Sequence, residues 1–134
     1  HLKWTESFHN LMQDIDGVKL FKEYLKGDNF SDKLIDFHFA CLGFKIKVST
    51  DPENFSNLAK SIYKKFIKGD SMPLKSSVKK QIVEALKTKN INESIFDVAQ
   101  AEIDLILKTN HYPAFLTSDI FIKFAETELE NSKI

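Results

Sequence analysis

One stretch constrains the fold more than any other: FSDKLIDFHFACLGFKIKV, from Phe30 to Val48. It reads as a single helix. Ser31 stands at the N-cap position, and Asp32 in the first turn complements the positive end of the helix dipole. Leu34, Phe37, Cys41 and Phe44 recur at i, i+3, i+7 and i+10, which lays them along one face. Phe39, Ala40 and Leu42 carry apolar character onto other faces. A helix apolar on more than one side packs between neighbours, so the stretch predicts the central member of a helical bundle.

The rest of the chain supplies the neighbours. Trp4, Phe8, Leu11 and Met12 share a face in a first helix that Thr5 could cap. Gly17 reads as a joint before a helix over Val18 to Lys26, and Gly27 as the glycine that ends it. Asp51 and Pro52 fit the start of a helix carrying Phe55, Leu58, Ala59, Ile62 and Phe66. Ser76 or Ser77 opens the next, with Val78, Ile82, Ala85 and Leu86 inward. Ser94 caps another, whose apolar face holds Ile95, Val98, Ala99, Ile103, Ile106 and Leu107. Asn110 to Pro113 interrupts it, since Tyr112 precedes a proline and is biased away from helical torsions. Ser118 caps the last helix, with Ile120, Phe121 and Phe124 inward and a polar, fraying tail from Glu126. There is no hairpin signal, so the expected class is all-α.

A chain of 134 residues suits one domain. At this size it can bury roughly two-thirds of the surface its unfolded form exposes. Twelve phenylalanines point to a core filled by rings. The formal net charge of zero exerts no overall pull toward nucleic acid or an acidic membrane. No apolar run is long enough for membrane insertion, and no secretory pattern opens the chain. The abrupt start at His1 suggests a piece of something longer. Cys41 is the only cysteine, which excludes an internal disulfide and makes the reducing cytoplasm the natural compartment.

Chemistry is hard to find. Cys41, on the inward face of the central helix, reads as a small apolar filler. His38 lies three residues away, but an activated nucleophile needs more than that. His1, His9, His38 and His111 are scattered, with no metal-ligand spacing, and no glycine-rich phosphate loop exists. The pairs Lys64-Lys65 and Lys79-Lys80 read as solvated helix faces. No metal or cofactor is expected, nor enzymatic activity. The pattern is that of a binding module.

Several separated motifs then fall in a recognisable order. They are Trp4-x-x-Ser7-Phe8, Gly17-x-x-x-Phe21-x-x-Tyr24-Leu25, Asp36-Phe37-His38-Phe39-Ala40-Cys41 with Phe44-Lys45, and Ala59-x-x-Ile62-Tyr63-x-x-Phe66. Phe96-Asp97-x-Ala99-Gln100-x-x-Ile103 and Tyr112-Pro113-x-Phe115-Leu116-x-Ser118-Asp119-Ile120 complete the set. In this order and spacing the chain resembles a regulator-of-G-protein-signalling (RGS) homology domain, from Trp4 to about Phe124. The resemblance implies a nine-helix RGS-type bundle, with residues 1–134 forming a single such domain (core about 4–124) of a larger scaffold.

Members that act on Gα subunits hold the Gα switch regions in their transition-state arrangement, while Gα supplies the catalytic groups. At the matching positions this chain departs from that pattern. The key asparagine is Leu34, and the acidic residue before it is Lys33. In the later loop the family's aspartate is Asn110 and its arginine Ala114. A polar partner lost at a desolvated contact costs about 1–3 kcal/mol. Gα binding is therefore expected to be impaired, with GTPase activation kept as the alternative.

Within the family the resemblance is strongest to its axin branch. It is carried by Leu2-Lys3-Trp4-x-Glu6-Ser7, by Leu34 to Phe44, and by Phe96-Asp97-x-Ala99-Gln100-x-Glu102-Ile103, although that branch usually has tryptophan where His38 stands. It implies docking of the short Ser-Ala-Met-Pro (SAMP) repeats of adenomatous polyposis coli protein, as a helical segment, in the β-catenin destruction complex. It also implies a cytoplasmic scaffold role in Wnt signalling, with membrane recruitment through partners. Gly43 offers a notch for close approach of such a helix, or else relief of crowding against a neighbour. The expected groove residues are Lys19, Lys22, Leu42, Gly43, Ile46 and Lys47.

Overall fold

The helix foreseen at the centre of the sequence runs from Asp32 to Thr50 and is the longest in the computed structural model, which describes residues 2–132, with Leu2 described in backbone only. His1 therefore lies outside the described residues. Nine α-helices occur among the described residues, and no strand. They are α1 (Leu2–Glu6), α2 (Phe8–Met12), α3 (Ile15–Gly27), α4 (Asp32–Thr50), α5 (Phe55–Ile62), α6 (Ser76–Lys87), α7 (Asp97–Ile106), α8 (Tyr112–Leu116) and α9 (Asp119–Ser132). The all-α expectation is met.

The helices sort into two compact units. One comprises the chain up to Asp32 together with everything from Ile106 onward. Its core is a ring cluster. The Trp4 ring stacks on Phe124 at 5.1 Å, and Phe115 meets Phe21 at 5.1 Å and Phe121 at 5.3 Å. Phe8 stands edge-on to Tyr112, whose hydroxyl donates to the Trp4 carbonyl. Ser7 caps α2 by accepting the Asn10 N–H at 3.0 Å, so the cap falls there and not at Thr5, which lies inside α1. Asp14 caps α3 by accepting the Gly17 N–H at 3.0 Å. The backbone bond to Gly17 is the main cause holding its carboxyl below the usual range.

Gly17 is no joint. It is buried in the first turn of α3, where a Cβ would lie 2.9 Å from Leu11 Cδ1 and 3.0 Å from both the Leu11 carbonyl oxygen and Trp4 Cε2. Nor does Gly27 supply the left-handed residue after α3. Asn29 (φ 54°) and Phe30 (φ 57°) do. Ser31 donates to the Asp28 carbonyl at 2.6 Å, which closes this turn before α4.

The other unit spans Lys33 to Leu105. Phe37 and Phe44 of α4 stand edge-on to Phe96, at 6.4 and 5.2 Å, and Phe66 and Phe55 close on them at 5.5 and 6.1 Å. Leu34, Phe37, Cys41 and Phe44 are buried as their spacing demands. α5 starts at Phe55 and not at Pro52, because Asp51 is taken up with Asn54 Nδ2 (2.9 Å) and Lys47 Nζ (3.4 Å). α7 starts at Asp97, after a turn in which Ser94 accepts the Asp97 N–H through its carbonyl at 3.1 Å.

Two helical runs pass through a π turn without breaking. α5 continues over Tyr63–Ile67, where the Lys68 N–H reaches the Tyr63 carbonyl at 2.8 Å. The added residue lets the adjacent Phe66 and Ile67 both face inward. α7 continues over Leu107–His111 into α8. Tyr112 is helical (φ −61°, ψ −49°) despite the following proline, and its N–H bonds back to Leu107. The expected interruption is absent because the wider turn carries the chain into α8, where Pro113 sits in the first turn and needs no donor. α9 likewise keeps its helix to Ser132 rather than ending at Glu126.

Candidate functional site: an uncovered face of helix α4

Burying one face of α4 leaves part of its remaining apolar surface open to solvent. Phe39, Leu42 and Ile46 are 38%, 40% and 63% exposed. They recur at i, i+3 and i+7 and so form one stripe along the helix. Gly43 sits within it, and a Cβ built there meets nothing within 4 Å. Of the two roles considered for this glycine, relief of internal crowding has no neighbouring atom to support it. Lys47 lies one turn on, tied to Asp51 at 3.4 Å. The expectation that α4 is wrapped on several sides is thus corrected: one side is core and another faces solvent.

Ion pairs define an edge of this surface within the same unit. Lys45 Nζ lies 2.9 Å from Asp97 Oδ1, and His38 Nδ1 lies 2.7 Å from Asp104 Oδ1. They join α4 to α7 in antiparallel register, since a step of seven residues along one helix is matched by seven back along the other. The bond to Asp97 raises the Lys45 pKa. On α7, Val98 and Leu105 are 54% and 61% exposed. Val98 was expected inward; the buried line runs instead through Ala99, Ile103 and Leu107, and Val98 falls about 100° away from it.

Lys19 and Lys22 are on α3, in the other unit. There they line a shallow depression of about 390 Å³ with Leu20, Glu23, Lys26 and Phe124. Of the positions where Gα contacts are degenerate, Leu34 is buried (5% exposed) and Lys33 half-buried, both in the second unit. Asn110 and Ala114 are exposed, on the π turn and α8 of the first. Leu34 is therefore a core side chain, not a polar tip.

Cys41 is buried, and its thiol is pushed up to about 12, first by burial and then by Asp104 and Asp97. His38 is engaged with Asp104. Among the described residues no cluster of side chains fits a metal ion, and no helix is long and apolar enough to cross a membrane.

Comparison with known proteins agrees with this architecture. The family model described as "Regulator of G protein signaling domain" matches residues 7–124. Axin-1 of Danio rerio is 39% identical over 139 residues and Axin-1 of Gallus gallus 40% over 141, each covering 100% of this chain. Axin-2 of Homo sapiens is 38% identical over 133 residues, covering 97%. The chain spans only 16% of the length of each of these relatives. The chain belongs to the regulator-of-G-protein-signalling domain family and is similar, over essentially its whole length, to a part of Axin-1 and Axin-2.

Proposed function

We propose that this domain is a non-catalytic docking module that binds the SAMP repeats of adenomatous polyposis coli protein through the uncovered face of α4, within a cytoplasmic axin-like scaffold of the β-catenin destruction complex. The observation that carries this reading is the stripe Phe39, Leu42 and Ile46 around an open Gly43. A short helix presenting alanine could approach the α4 backbone closely at a residue without a side chain, with apolar contacts on both sides of it. The scaffold then restrains Wnt signalling by raising the effective concentration of kinases and substrate around the bound protein. Lys19 and Lys22, on α3 in the other unit, are proposed as a contact of their own with the same partner protein, to be tested separately by charge reversal.

The alternative class, GTPase activation on a Gα subunit, is disfavoured by burial of Leu34, which removes the polar tip that would grip a switch region. Single-turnover GTP hydrolysis by Gα, measured beside titration of a SAMP-repeat peptide, separates the two. The reading predicts saturable peptide binding and no acceleration of hydrolysis. Acceleration without peptide binding reverses it.

A further inference from the structure

The zero net charge conceals a segregation. Residues 60–89 hold nine lysines against only Asp70 and Glu84, a net of +7, so the rest of the chain carries −7. The fold gathers part of this block into one place within the second unit. The α5 run and α6 line a depression of about 420 Å³, with Tyr63 and Lys68 on one wall and Lys79, Lys80, Glu84 and Lys87 on the other. On α6, Lys80, Glu84 and Lys87 follow at i, i+4 and i+7, so they share a face.

The lysines divide by what they touch. Lys79 reaches the Gly69 carbonyl and Asp70 Oδ1, both at 3.3 Å, and so pins the rim of the depression. Lys68, Lys80 and Lys87 hold no ion pair among the described residues. Lys68, Lys80 and Lys87 are exposed, as are Lys60, Lys64 and Lys65 on the same α5 run.

We propose that this α5–α6 face is an electrostatic docking surface for an anionic lipid membrane. The spread and type of the charges select that partner. All 19 basic residues of the chain are lysine. Lysine is a point charge without the bidentate fork that arginine offers a single phosphate group or carboxylate. Many lysines over one face suit a diffuse sheet of negative headgroups, and clusters of four to eight basic residues are typical of such surfaces. Attraction of this kind falls off within a Debye length and weakens with salt. The proposal is independent of the α4 peptide face.

The test is co-sedimentation of the intact domain with phosphatidylcholine vesicles containing 30% phosphatidylserine. The expected result is binding at 0.1 M salt that is lost at 0.5 M and absent with pure phosphatidylcholine. Lys68→Gln/Lys80→Gln/Lys87→Gln is expected to weaken partitioning by about a hundredfold, since each lysine near an anionic leaflet is worth about a fivefold change. Lys68→Glu/Lys80→Glu/Lys87→Glu should give the same direction with a larger loss, and both variants should keep the wild-type helical circular dichroism. A matched triple reversal elsewhere, Lys26→Glu/Lys108→Glu/Lys123→Glu, should leave most of the binding. Equal losses from the two sets of reversals, or no binding by the wild type, would overturn the proposal. Saturable binding of inositol hexakisphosphate without any vesicle binding would also overturn it, in favour of a soluble polyphosphate ligand.

Discussion

His38 Nδ1 lies 2.7 Å from Asp104 Oδ1, a pairing that ties α4 to α7 beside the buried Cys41. Asp104 is also one of the negative charges that, after burial, hold the Cys41 thiol in its protonated form. The thiol itself is buried and pushed up to about 12. At neutral pH it is protonated and shielded from solvent. Iodoacetamide should therefore leave the native domain unlabelled over hours at pH 8 and modify it fully in denaturant. Native labelling at the rate of a free thiol would contradict this.

The two helical glycines Gly17 and Gly43 should respond oppositely to alanine. In an open helix the change gains about 1 kcal/mol from propensity. Gly43 has that open space, so Gly43→Ala is expected to stabilise by about this amount. At Gly17 the new methyl would lie 3.0 Å from the Leu11 carbonyl, a backbone atom that cannot swing aside. Overpacking of this kind costs about 1–3 kcal/mol, enough to outweigh propensity. Urea denaturation of the two variants gives the comparison directly.

Asp14 makes part of the stability pH-dependent. Its carboxyl is held low mainly by the Gly17 N–H, so its contribution is complete above the usual carboxylate range. It is lost as pH falls through the lowered, folded-state value. Asp14→Ala should cost about 1 kcal/mol at pH 7, the usual worth of a side-chain N-cap. The gap between variant and wild type should close in acid. A gap unchanged between pH 7 and pH 2 would show that the cap works by some other means.

Tyr112→Phe removes a single donor, the hydroxyl that bonds the Trp4 carbonyl, and leaves the ring against Phe8. The carbonyl loses a partner in a half-buried setting, so thermal unfolding should show a loss of about 1 kcal/mol.

Much of the fold was legible in periodicity. The inward set Leu34, Phe37, Cys41 and Phe44 follows from spacing alone, as does the placement of nearly all the phenylalanines in ring clusters. Places where a tertiary neighbour or a local hydrogen bond decides were less legible. Gly17 looks like any flexible glycine until Leu11 and Trp4 are packed against it. Pro113 looks like a helix breaker because residue patterns do not encode a π turn. For the candidate site, Leu42, Gly43 and Ile46 were named by what the resemblance implies, and neither it nor spacing could say that this side of α4 is uncovered. That depends on which helices pack on α4, and the apolar content of Phe39 and Leu42 argued for burial.

The central claim is tested most directly by isothermal titration of a SAMP-repeat peptide into the wild-type domain and into Gly43→Glu. The open surroundings of Gly43 mean that the variant should fold as well as the wild type, checked by its melting curve, while the new side chain fills the gap in the stripe. The account predicts binding by the wild type and a loss of at least tenfold in the folded variant. Unchanged affinity in the variant, or no binding by the wild type, would contradict it.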